Sequence, residues 1–219
     1  MTSSDENSSD HADQVNERGD KAIVWFMVLI IAAIAGWYGT SLYLDADGGV
    51  STEPRIYNGH TFVQTSPVSV QTVVRTAEGE VSKEFREYPG DIDHYVYNNE
   101  FSLPLRLAQE SNGTVYVSVG PDFVTRGEAA IASIELVKVT SGVFGIETKS
   151  AVTQKGVVDD KPVVTCENAT PITPVIKLVN SSETLIQNSG SCITLEAKSG
   201  EELIEIADVV AYSLLGIIE

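Results

Sequence analysis

The run Ala22-Ile-Val-Trp-Phe-Met-Val-Leu-Ile-Ile-Ala-Ala-Ile-Ala-Gly-Trp-Tyr-Gly-Thr-Ser-Leu-Tyr-Leu44 carries no charged side chain. A helix that crosses the hydrocarbon core of a bilayer needs about 20 apolar residues, and this run supplies them. A secretory signal peptide has a shorter apolar stretch, about 7–15 residues, and a small-residue cleavage site. Here the run closes instead on Tyr43-Leu44-Asp45. The sequence therefore predicts a signal-anchor, a single transmembrane helix over 22–44.

Its flanks set the direction. Arg18 and Lys21 precede the run, and no Lys or Arg follows it before Arg55. Basic residues stay on the cytoplasmic side and carboxylates count for little in that rule. Residues 1–21, polar and acidic without apolar periodicity, read as a disordered cytoplasmic tail. Trp25 and Phe26 near one end and Trp37, Tyr38 and Tyr43 near the other suit the two membrane–water interfaces. Ala32, Gly36 and Thr40 form a line of small residues that lets helix backbones approach closely. Residues 45–54 form an exit linker. Asp45-Ala46-Asp47 begins like a calcium loop, but Val50 and Ile56 stand where that loop needs Gly and a bidentate Glu.

Residues 55–219 read as one β-rich domain outside the membrane. Val68, Val70 and Val74 alternate with Ser69 and Gln71, and Val115, Val117 and Val119 flank Tyr116 and Ser118. Phe101, Leu103, Leu105 and Leu107 repeat the period of two, with Pro104 marking an edge or bulged strand. Further strands are predicted around 163–165, 175–179 and 193–197. Turn signals at Glu78-Gly79, Pro89-Gly90, Asn112-Gly113, Gly120-Pro121 and Ser141-Gly142 separate such segments. Residues 156–162 are a candidate internal joint. Short strands with regular turns predict a mainly β, sandwich-like fold. It ends in an amphipathic helix over 200–218, started by Ser199 with Glu202 as a capping box. On that helix Glu201, Glu205, Asp208 and Tyr212 share one face and Leu203, Ile206, Ala207 and Val210 the other.

The balance of 14 Lys+Arg against 31 Asp+Glu gives a net charge of -17. Such a surface repels phosphate backbones, which argues against nucleic acid as a partner. Cys166 and Cys192 are the only cysteines; on the outer side of a membrane they are expected to form one disulfide. Asn112-Gly-Thr, Asn168-Ala-Thr and Asn180-Ser-Ser have the form of N-glycosylation acceptors. Of the three histidines, His11 lies in the tail, His60 stands alone and His94 belongs to Asp91-Ile92-Asp93-His94. Alternation there reads as an exposed strand entry after the Pro89-Gly90 turn rather than a metal site. No phosphate-binding loop, dinucleotide fingerprint or nucleophile elbow is present, and no cofactor or catalytic residue is assigned.

Arg18-Gly19 directly before the apolar run, with a β-rich region behind it, resembles the archaeal class III signal-peptide proteins, archaellins and type IV pilin-like subunits. The resemblance implies cleavage after Gly19, Asp20 as the new N-terminus, and bundling of the 22–44 helices into a filament core. The leading expectation is a non-enzymatic, membrane-anchored surface or envelope protein that binds a protein partner or builds a structure. A filament subunit comes second and an ectoenzyme third.

Overall fold

The computed structural model of the chain describes residues 30–34, 53–76, 79–95, 102–123, 125–156 and 158–218. Two compact units divide the chain, Met1–Gly49 and Val50–Glu219. In the first, residues 30–34 are helical and exposed; the rest of the apolar run lies outside the described residues. Among the described residues no helix is long and apolar enough to cross a membrane.

The second unit opens with an antiparallel meander of β1 (Arg55–Tyr57), β2 (His60–Ser66), β3 (Ser69–Thr76) and β4 (Gly79–Phe85), paired in chain order. Asn58 and Gly59 both have positive φ, at 45° and 79°. This is the Asn-Gly pairing that a tight two-residue hairpin favours. Register places Phe62 beside Thr72 and Val70 beside Phe85, and all four are buried. Val63, Gln71 and Val73 point the other way. The period-two reading of β3 is met in Val70 and Val74, whereas Val68 lies exposed in the β2–β3 turn.

Beyond the meander come α1 (Pro89–Ile92), α2 (Ser102–Glu110), β5 (Thr114–Val119), α3 (Gly127–Thr140) and β6 (Glu147–Val152). They are followed by β7 (Val175–Asn180), β8 (Leu185–Ser189), β9 (Cys192–Ala197) and α4 (Gly200–Leu214). The second sheet runs β6-β5-β7-β9-β8. Its strands are parallel except for β8, which pairs antiparallel with β9. The fold is thus mixed α/β with two sheets, which corrects the mainly β, sandwich-like expectation.

Two segments account for the difference. The stretch 101–107 is helix and not strand: Pro104, Leu105 and Ala108 are buried while Leu103 is exposed, a helical spacing. Pro104 sits in the first turn, where its missing N–H has no intrahelical acceptor to lose. Pro89 likewise occupies the first position of α1, for which its fixed φ is suited; Asp91–His94 is therefore not a strand entry. The helix α3 completes a β5-α3-β6 crossover, as adjacent parallel strands require. Gly113 closes α2 against the loop ahead of β7, where a Cβ would stand 2.0 Å from the Ile172 carbonyl oxygen.

The core lies around α4. Leu203, Ile206, Ala207, Asp208, Val209, Val210, Ala211 and Tyr212 are all wholly buried. From Ile206 to Tyr212 both faces of the helical wheel are covered, so that Asp208 and Tyr212 of the face expected to be polar are buried, while Glu201 is exposed and Glu205 half-buried. The Tyr212 ring meets Phe62 edge-on at 5.8 Å and Phe85 at 4.6 Å. The cap at Ser199 forms as expected, with Glu202 N–H donating to its Oγ at 3.2 Å. The reciprocal bond does not: the Glu202 carboxylate accepts from Lys198 N–H at 3.3 Å and from the Thr184 hydroxyl.

On the opposite face of the second sheet a small cluster of Ala151, Val164, Val175 and Cys192 lies under the 153–174 loop. Ser118 fastens that loop by donating to the Val164 carbonyl at 2.6 Å. The Cys166–Cys192 disulfide staples it to the start of β9, with Cα atoms 5.3 Å apart across 26 residues of chain. Closing a loop of that length stabilises a fold by about 3–4 kcal/mol in the chain-entropy account. Replacing both cysteines with serine should lower the unfolding free energy by about that amount in urea titrations; an unchanged midpoint would contradict it.

Candidate functional site

The residues singled out in Asp91–His94 are held in structural pairings. Arg55 donates to both Asp91 oxygens, at 3.1 and 3.0 Å, and lies 3.4 Å over the Tyr88 ring. Tyr57 donates to Asp93 at 3.1 Å. The His94 ring stacks on Tyr95 at 4.3 Å. Among the described residues no three His, Cys, Asp or Glu side chains converge as a metal site would need.

Asn112, Asn168 and Asn180 are all exposed. Asn112 occupies a left-handed turn at φ 50°, and Asn180 ends β7. Asn168 accepts a bond from the Thr165 N–H at 2.8 Å through its amide oxygen. Ala32 lies in the exposed 30–34 helix. Gly19, Asp20, Gly36 and Thr40 lie outside the described residues.

The richest polar arrangement is one that the sequence pattern did not single out. It is a seam where α3, α4 and the end of β4 meet. Glu135, 1% exposed, comes from the middle of α3. Lys138, one turn later, donates to both of its oxygens at 2.8 and 2.7 Å and to the Glu84 carbonyl at 2.9 Å. Burial raises the ionisation point of Glu135, and Lys138 works against that shift. From α4, Asp208 accepts the N–H groups of Arg86 and Glu87 at 3.0 and 2.8 Å through Oδ2. Its Oδ1 is buried with no partner among the described residues.

An open cleft of about 320 Å³ runs along this seam between the β2–β3 turn and α3. Its floor is polar, with Glu135, Lys138, Ser69 and Glu84; its walls are Val68, Ile131 and Ile134. The Glu84 carboxylate accepts from Thr65 at 2.9 Å and Ser69 at 2.5 Å. These bonds, that from Ser69 foremost, hold its ionisation point below the usual range. A carboxylate so satisfied is a weak base. The larger concavity, about 720 Å³, lies along the meander and is lined by Thr61, Val63, Gln71, Val73 and Ser82; Val63 and Val73 are 39% and 52% exposed there.

Set against protein-family models, curated proteins and solved structures, the chain matches none of them.

The signal for the seam was one acid in each of two otherwise apolar stretches, Ala132-Ser-Ile-Glu135-Leu-Val and Ile206-Ala-Asp208-Val-Val-Ala. Charged groups are almost never fully buried unless paired, so an acid inside an apolar run marks a partner elsewhere. Lys138→Met should cost about 3 kcal/mol, the low end for breaking a buried pair, because Lys138 keeps some solvent contact. Coupling it with Glu135→Leu should recover most of that loss. Urea titrations of both variants measure this, and a double variant no more stable than the single one would refute the pairing.

Proposed function

We propose that this chain is a single-pass membrane-anchored protein with its N-terminus in the cytoplasm and its α/β domain on the extracytoplasmic side. The domain acts by binding a protein partner or by building a surface structure, without chemistry of its own. The observation that carries this reading is the uncharged run Ala22–Leu44 with Arg18 and Lys21 before it and no base until Arg55. The disulfide supports an oxidising compartment for the domain. The net charge of -17 suits a soluble exposed surface. The meander face offers exposed Val63 and Val73 among hydroxyl and amide groups, a mixed lining suited to protein contact.

Alkaline carbonate washing should leave the chain in the membrane fraction. Protease added to intact cells should destroy epitopes placed after Pro54 and spare one within the first ten or so residues. Loss of the N-terminal epitope alone would reverse the orientation.

Arg18-Gly19 and the small residues Ala32, Gly36 and Thr40 favour a second reading, a filament subunit processed after Gly19. The two separate at Gly36→Leu. A lone anchor accommodates leucine in lipid, whereas helices packed in a filament core are forced apart. Under the leading reading, the variant inserts and its domain folds as in the wild type, and no sheared filaments containing the chain are recovered from either. Wild-type filaments abolished by Gly36→Leu would establish the filament reading instead.

A further inference from the structure

The seam behind the cleft holds more acid than its contacts can neutralise. Two carboxyls, Asp208 and Glu135, are each no more than 1% exposed. Among the described residues the one ammonium in direct contact is that of Lys138, and its bonds go to the two Glu135 oxygens and the Glu84 carbonyl. None reaches Asp208. Arg86 acts on Glu135 only through space, and the Arg86 group that meets Asp208 is its backbone N–H. Tyr212, one turn along α4, directs its hydroxyl to the Glu87 carbonyl at 2.6 Å and not to Asp208. Glu87, partly buried beside them, adds a third acid whose charged neighbours are Glu205, Asp91 and Glu201, with Arg86 acting against them.

We propose that Asp208 carries a bound proton at neutral pH. Among the described residues no cation is in contact with it, and its Oδ1 has no partner. A buried ion away from any counter-charge is costlier than a buried neutral carboxyl with one donor left unsatisfied. Asp208 Oδ2 can keep both N–H bonds in the neutral form, and Oδ1 is the oxygen left to carry the hydrogen.

Residues 86–88 lead into α1, where Tyr88 donates to the Ile56 carbonyl at 3.0 Å and Asp91 holds Arg55. Through these bonds α4 grips β1, the first strand of the domain. Removing the proton places a negative charge where burial foremost, and the neighbouring Glu135, oppose it, while the two backbone N–H bonds and Lys138 work the other way. Burial outweighs them, and the folded domain is less stable with Asp208 ionised.

The direction with pH is opposite to ordinary acid denaturation. The folded chain binds this proton more tightly than the unfolded chain does. The contribution to stability is complete in acid and is lost as pH rises through the folded ionisation point. It is independent of where the domain resides.

The test uses the full chain in detergent with carbon-13 at the aspartate and glutamate carboxyls. The Asp208 signal should have the position of a protonated carboxyl at about pH 7 and titrate above it. Asp208→Asn keeps an oxygen for the two N–H bonds and removes the ionisation. From about pH 5 to about pH 9 the wild-type urea midpoint should fall further than that of D208N. An Asp208 carboxyl ionised at about pH 7, or midpoints that run parallel in the two proteins, would overturn the proposal. If D208N does not fold, the carboxyl signals of the wild type decide the matter alone.

Discussion

A helix segment buried on every side, as α4 is from Ile206 to Tyr212, has to satisfy its polar side chains inside the protein, and it does so through residues 86 and 87. Asp208 accepts both of their N–H groups, and Tyr212 donates to the Glu87 carbonyl. These bonds end β4, turn the chain toward α1, and bring Phe62 and Phe85 of the meander against the Tyr212 ring. Leu203, Ile206 and Val210 meanwhile belong to the same core as Ile193 and Leu195 of β9. The two sheets share one core because this helix is hydrogen-bonded to one and packed on the other. Other polar links tie the meander to the rest of the unit, from Lys83 to the Gly142 carbonyl at 2.8 Å, from Lys138 to the Glu84 carbonyl at 2.9 Å and from the Asn58 amide to the Ile217 carbonyl at 2.9 Å.

The same contact places the acids. Asp208 caps two backbone N–H groups from the interior and lies wholly inside. Glu135 lies on the neighbouring helix and is paired with Lys138, which also lines the cleft. The cleft, the buried acids and the grip on β1 are therefore parts of one arrangement. A disturbance at the seam is transmitted to Arg55, and hence to the end of the domain that follows the apolar run.

What could be read from the sequence was what local rules control. Val115 and Val117 alternate because β5 is pleated, and both are buried. Ser199 caps α4, and Cys166 meets Cys192. The misreadings arose where two periods overlap or where no local signal exists. Leu103, Leu105 and Leu107 satisfy a period of two by coincidence, while burial follows Pro104, Leu105 and Ala108 along a helix. The helix α3 has apolar residues around its circumference and no side-chain cap, so neither its face nor its start announces it. The seam depends on residues more than a hundred positions apart, Arg86 and Asp208, which no pattern within a window can join.

Native-state amide exchange with increasing denaturant tests most directly whether α4 unites the two sheets. If it does, slow amides in β2 and β3, in β9 and along α4 open with one common free energy, that of global unfolding. Amides of β2 and β3 that open several kcal/mol more easily, while β9 and α4 stay protected, would make the meander a separate cooperative unit and contradict it.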